Sequence, residues 1–166
     1  MSVEEFFDRV ISVKLPEDRE SLDIIDQTLL PGTVKRINLH TKEELWEAIK
    51  KLRVRGAPAI GVAAAEGLAV LANKIDTTDQ QEFYRQFKEI ADYLATSRPT
   101  AVNLFWALDR MRRAYAAVRG GEPGEIRRAL RQARESIHME YYIIEDDELG
   151  REIANPGEAR RILSLA

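Results

Sequence analysis

This sequence of 166 residues contains no cysteine. That excludes disulfides, thiolate metal sites and a cysteine nucleophile anywhere within it. It has little aromatic content, 7%, and no excess of positive charge: 25 Lys and Arg stand against 28 Asp and Glu, for a net charge of −3. A nucleic-acid surface is therefore not its main business. No long apolar run is present either. The longest, Pro58 to Ala72, is broken by Glu66 and falls short of a membrane span. The opening MSVEEFFDRV lacks the basic start and apolar stretch of a signal peptide. A cytoplasmic protein without membrane or nucleic-acid partners is expected.

What remains is ordinary globular material, 45% apolar and 32% charged, enough at this length to bury a real core. The first forty residues read as extended. Leu22 to Leu29 and Val34 to Leu39 flank the turn signal Pro31-Gly32, and Ile37 and Leu39 alternate with Arg36 and Asn38 as one buried strand face would. A further strand near Val10 to Leu15 would complete a small antiparallel sheet. Everything later reads helical. Thr41-Lys42-Glu43-Glu44 is a capping box opening a helix that buries Leu45, Ile49 and Leu52. A second helix begins at Pro58 and is rich in small residues, so it should be central. Phe83, Phe87, Ile90 and Leu94 mark a third, ended by Ser97-Arg98-Pro99. Leu104, Leu108, Met111 and Tyr115 mark a fourth; Ile126, Leu130, Ala133, Ile137 and Tyr141 mark a fifth after the breaker Gly120–Gly124. The fold class is α+β and predominantly helical: a small N-terminal antiparallel sheet (10–40), then a bundle of about five helices (41–155). Residues 1–155 read as one domain and 156–166 as a divergent tail.

Two short stretches share one design. Arg55-Gly56-Ala57-Pro58 and Ser97-Arg98-Pro99-Thr100 each put an arginine in a turn immediately before a helix. A helix N-terminus offers unpaired N–H groups and a partial positive charge, and arginine adds a planar fork matched to phosphate oxygens. Gly56 permits positive φ or close approach of a ligand. Brought together, the two turns would make a phosphate site; apart, each is a plain turn, with Arg98 free to pair with an acid such as Glu66. Other chemistry-bearing residues read as structural. His40 and His138 are isolated and read as surface or packing residues. Glu145-Asp146-Asp147-Glu148 lacks calcium-loop spacing and suits the first turn of a short helix. Arg127, Arg128, Arg131 and Arg134 read as a solvated helix face. Trp46, Phe105 and Trp106 read as core or domain-interface residues. No metal site is expected.

The string KKLRVRGAPAIGVAAAEGLAV, followed about thirty residues later by SRPTAVNLFWALDRM, resembles the N-terminal part of the methylthioribose-1-phosphate isomerase family. LDIIDQTLLP and IIEDDELGREI also fit that family's order, so the resemblance runs from about Leu22 to about Ile153. The family is grouped with the regulatory subunits of eukaryotic initiation factor 2B and with ribose-1,5-bisphosphate isomerases. The resemblance implies an aldose–ketose isomerase converting 5-methylthioribose 1-phosphate to 5-methylthioribulose 1-phosphate in methionine salvage, with no cofactor and a homodimer in the full-length family. It implies Arg55, Gly56, Ala57 and Arg98 as substrate contacts. The family's catalytic cysteine and acid–base aspartate lie in a larger C-terminal α/β domain, and ANPGEARRILSLA does not track the approach to it. No catalytic residue is therefore expected in this chain, and the 166 residues alone are expected to be inactive. A non-catalytic module sensing a sugar phosphate or nucleotide is the alternative, as is part of a ribose-1,5-bisphosphate isomerase.

Overall fold

The computed structural model describes residues 11–16 and 19–148, with side chains as far as residue 138. Three antiparallel strands, β1 (Val13–Lys14), β2 (Leu22–Ile25) and β3 (Arg36–Leu39), form a sheet with β2 central. The register pairs Val13 with Ile24, and Leu22 with Leu39. All four residues of β2 are buried. The one charged residue among them, Asp23, is held by Arg36 Nε at 2.9 and 3.1 Å.

The extended stretch expected from Leu22 to Leu29 stops at Ile25. Asp26 accepts from the backbone N–H and hydroxyl of Thr28, which turns Gln27–Leu29 into a 3-10 helix. An Asp side chain that bonds its own backbone two residues on competes with the sheet ladder.

Five helices follow: α1 (Lys42–Lys50), α2 (Ala57–Asn73), α3 (Gln80–Ala95), α4 (Val102–Ala117) and α5 (Pro123–Glu148). The fold class is as the sequence implied. In the capping box at α1, Thr41 Oγ1 accepts from Glu44 N, and Glu44 accepts from Thr41 N. Leu52 does not join the core. The helix ends before it, and Leu52 sits at φ 59° on the surface, so the helical period no longer governs where it points. Ala48 is buried with Leu45 and Ile49 instead.

Helix α2 is the central element, buried without interruption from Ala59 to Ala72. Its small and polar positions each meet a different neighbour: Gly67 lies against Leu45 of α1, Gly61 against Asn103 of α4, and Glu66 against Arg134 and His138 of α5. Among the apolar positions expected on α3 and α4, all but the half-buried Ile90 are fully buried.

Helix α5 corrects two expectations. Arg134 is not on a solvated face. It is buried and pairs with Glu66 at 2.5 Å, while Arg127 reaches the Ile75 carbonyl at 2.6 Å; Arg128 and Arg131 are exposed as expected. The acids 145–148 end a long helix, since α5 runs unbroken to Glu148. The side chain of Tyr141 and the tail 156–166 lie outside the described residues.

Candidate anion site at two helix ends

The Arg55 turn follows α1 directly. Arg53 and Val54 both donate backbone N–H groups to the Ala48 carbonyl, and Val54 is fully buried. The chain then releases Arg55 to the surface. Gly56, the N-cap of α2, has φ 90° and ψ 135°, a conformation that favours glycine. A Cβ there would meet nothing within 4 Å, so the surface above the turn is open. Helix α2 begins one residue earlier than expected, at Ala57, with Pro58 in its first turn. A proline is tolerated there because its missing N–H has no partner to lose.

The Arg98 turn follows α3. Thr96 and Ser97 each tie their hydroxyls back to the end of that helix, at 2.6 Å to the Tyr93 and Leu94 carbonyls. Arg98 is half-buried, its carbonyl accepting from Ala101 N at 3.0 Å. It does not pair with Glu66, whose oxygens are taken by Arg134 and His138.

Helices α2 and α4 pack closely near their N-terminal ends, with Gly61, the fifth residue of α2, against Asn103, the second of α4. The Cβ position of Gly61 lies 3.0 Å from the backbone oxygen of Asn103 and 3.5 Å from its Cβ. A side chain there would be tighter than most Cβ contacts, and glycine avoids it.

The electrostatics of these two ends differ from those of the other helices. Helix α1 is capped by Thr41 and has Glu43 and Glu44 in its first turn; α3 is capped by Asp79 and has Glu82; α5 has Glu125. Helices α2 and α4 have neither a side-chain cap nor an acid in the first turn. Their free N–H groups and dipoles are uncompensated. Among the described residues, Arg55 and Arg98 also have no ion-pair or hydrogen-bond partner for their side chains. Arg53, two residues from Arg55, has two: Asp26 and Glu47. The polar amide of Asn103, beside the junction, was not singled out from sequence. Nor were Asp26 and Arg53, although the Asp-x-Thr spacing of Asp26 and Thr28 is a turn signal. Among the described residues, no group of three or more His, Cys, Asp or Glu side chains could hold a metal ion.

Residues 53–156 match the initiation factor 2 subunit family. The chain belongs to that family. Within it, the chain is 49% identical over 148 residues to a 5-deoxyribose 1-phosphate isomerase of Petrotoga mobilis, covering 89% of this chain and 41% of the relative. It is 48% identical over 128 residues to a methylthioribose-1-phosphate isomerase of Symbiobacterium thermophilum, covering 77% and 36%. The crystal structure of the 5-methylthioribose 1-phosphate isomerase from Pyrococcus horikoshii superposes with a TM-score of 0.72 at 39% identity, over 76% of this chain and 35% of that one. The delta subunit of translation initiation factor eIF-2B from A. fulgidus gives 0.70 at 38%, over 78% and 36%. This chain thus spans between a third and about two fifths of the length of these family members.

Proposed function

We propose that the paired ends of α2 and α4 bind the phosphate of a pentose 1-phosphate, and that the chain is the substrate-holding part of an aldose–ketose isomerase acting on 5-methylthioribose 1-phosphate. One observation carries this reading: the two helices preceded by arginine turns are those left without cap or first-turn acid, and among the described residues both arginine side chains stand without partners. Two helix ends and two guanidinium groups then neutralise a dianion, with Gly56 and Ala57 bringing backbone N–H groups to the phosphate. Net charge −3 supports a small anionic ligand over nucleic acid. The lack of cysteine fits the cytoplasm, and homodimerisation is the assembly state we assign to the whole protein.

The net chemistry moves a hydrogen from C2 to C1 of the opened sugar, which requires a group that takes and returns a proton. Among the described residues, the buried carboxylate Glu66 is held by Arg134 and His138, and His40 is exposed at the end of β3. Neither is offered to a sugar at the helix ends. We therefore assign the acid–base group to a segment outside the described residues, and expect the 166-residue chain to bind without turnover.

The 49% identity to a 5-deoxyribose 1-phosphate isomerase favours a second substrate with the same phosphate and a smaller group at C5. The likeness to an initiation-factor subunit favours sensing without chemistry. Calorimetric titration of 5-methylthioribose 1-phosphate, 5-deoxyribose 1-phosphate and a nucleoside monophosphate separates the three. A charge-assisted contact contributes about 1.5–3 kcal/mol, so Arg55→Ala and Arg98→Ala each weaken binding roughly tenfold or more. Unchanged affinity in both variants overturns the site. Ketose formation by the purified chain would show that it carries an acid–base group of its own.

A further inference from the structure

We propose that Asp26 is a positioning residue for the phosphate turn, acting through Arg53; this rests on the reading of Arg55 and Gly56 given above. Asp26 is buried, 3% exposed, at the point where β2 ends. One carboxylate oxygen accepts from Thr28 N and Oγ1, at 3.1 and 2.5 Å. The other accepts from Arg53 Nη1. The second arm of the same guanidinium reaches Glu47 at 3.2 Å, and the Arg53 carbonyl accepts from Gln27 N at 3.0 Å. Arg53 is thereby held at its N–H, its carbonyl and both guanidinium arms, two residues before Arg55, whose side chain has no partner among the described residues.

The arrangement answers a mechanical problem. The loop from Lys51 to Gly56 leaves α1 through Leu52, at positive φ, and enters α2 through another positive-φ residue. Such a connection has few helix or sheet bonds to define it, and a loosely defined turn weakens the contacts it is meant to make. Asp26 supplies the definition from the sheet. A second strut runs from the same helix to the other turn: Trp46 Nε1 donates to Thr96 Oγ1 at 2.8 Å, two residues before Arg98. Trp46 and Glu47 are adjacent, so α1 braces both turns, and Asp26 fixes the phosphate turn to the sheet.

The test compares Asp26→Asn, Arg53→Lys and Arg55→Ala in the full chain, titrated calorimetrically with 5-methylthioribose 1-phosphate. Hydrogen exchange of the Val54–Ala59 amides is read alongside. Asp26→Asn keeps the size and the Thr28 contact but loses the charge that orders Arg53. We expect five- to twentyfold weaker binding and faster exchange confined to that turn, with exchange in α3 and α5 unchanged. Arg53→Lys retains the charge toward Asp26 and loses less affinity than Asp26→Asn. Weak binding in Arg55→Ala with normal binding in Asp26→Asn overturns the positioning role while leaving the site standing. Normal binding in Arg55→Ala removes the site itself. Weaker binding accompanied by faster exchange throughout the molecule reduces Asp26 to a general stability residue and also overturns the proposal.

Discussion

At Gly56 a single residue's backbone conformation carries the argument. Its φ of 90° lies in open space, where an added Cβ meets nothing within 4 Å. The cost of substitution is therefore torsional and not steric. Gly56→Ala should lower stability by about 1–3 kcal/mol, and Gly56→Val by more, because branching at Cβ tolerates positive φ worst. Thermal unfolding checks this; an unchanged Tm for the valine variant would mean the turn relaxes freely. Glu66 makes the complementary case of a side chain that depends on partners. Burial raises its pKa, but the hydrogen bond from His138 and the charge of Arg134 outweigh that and hold it below the ordinary value of 4.5. A carboxyl depressed in the folded state contributes stability that is present above its unfolded pKa. That contribution is lost as pH falls through the folded value. Acid unfolding should therefore draw on Glu66 only below the ordinary carboxylate range. Arg134→Met leaves the carboxylate buried with one partner fewer and should cost about 3–5 kcal/mol. Combining it with Glu66→Gln should recover much of this in urea titrations; a neutral single variant would refute the reading.

Elements meet α2 at glycines, and two of these separate function from stability. An alanine methyl at Gly61 would lie 3.0 Å from the Asn103 backbone oxygen, whereas at Gly67 it would lie 2.2 Å from Leu45 Cδ2. The backbone oxygen cannot swing aside as a side chain can, so Gly61→Ala should shift α2 and α4 apart by a few tenths of an ångström near their N-terminal ends. Phosphate affinity should fall about tenfold, because a small displacement of positioned groups costs disproportionately, while stability falls by no more than roughly 1–3 kcal/mol. Gly67→Ala should cost stability without that loss of affinity. Leu45 is buried at 1% exposure, and overpacking it should cost about 1–3 kcal/mol without altering affinity per folded molecule. Pairing Gly67→Ala with Leu45→Ala should relieve the clash. Urea unfolding and calorimetry on the two glycine variants decide the matter, and equal effects on both readouts would contradict it.

Over the whole molecule, one outward face has no cover among the described residues. Val102, Phe105 and Trp106 are 78%, 40% and 44% exposed on the first turns of α4, with Arg110 lying 4.9 Å over the Trp106 ring. Adjacent exposed apolar side chains favour association. The chain should self-associate with rising concentration in sedimentation experiments, and Phe105→Glu with Trp106→Glu should suppress this. A wild-type chain that stays monomeric at high concentration would count against it. For the same region, no helix of the described residues is long and apolar enough to cross a membrane.

Local rules written in neighbouring residues determined much of this molecule. The Thr41–Glu44 box, the proline at the start of α2, the apolar period of α3 and α4 and the glycine of the Arg55 turn were all legible, because each acts within one or two turns of chain. The two arginine turns were legible as turns leading into helices for the same reason. Tertiary structure decided what depends on partners far apart in sequence. Arg134 lies 68 residues from Glu66, and Asp26 lies 27 from Arg53. No periodicity reports such pairings, so a buried ion pair read as a solvated face and the Asp26–Arg53 contact behind the Arg55 turn passed unnoticed. Leu52 shows the boundary: a pattern predicts burial only while the helix lasts, and where the helix ends is set by the α1-to-α2 connection. The packing of Gly61 on Asn103 was likewise decided by the fold, because only the folded chain brings the backbones of α2 and α4 together.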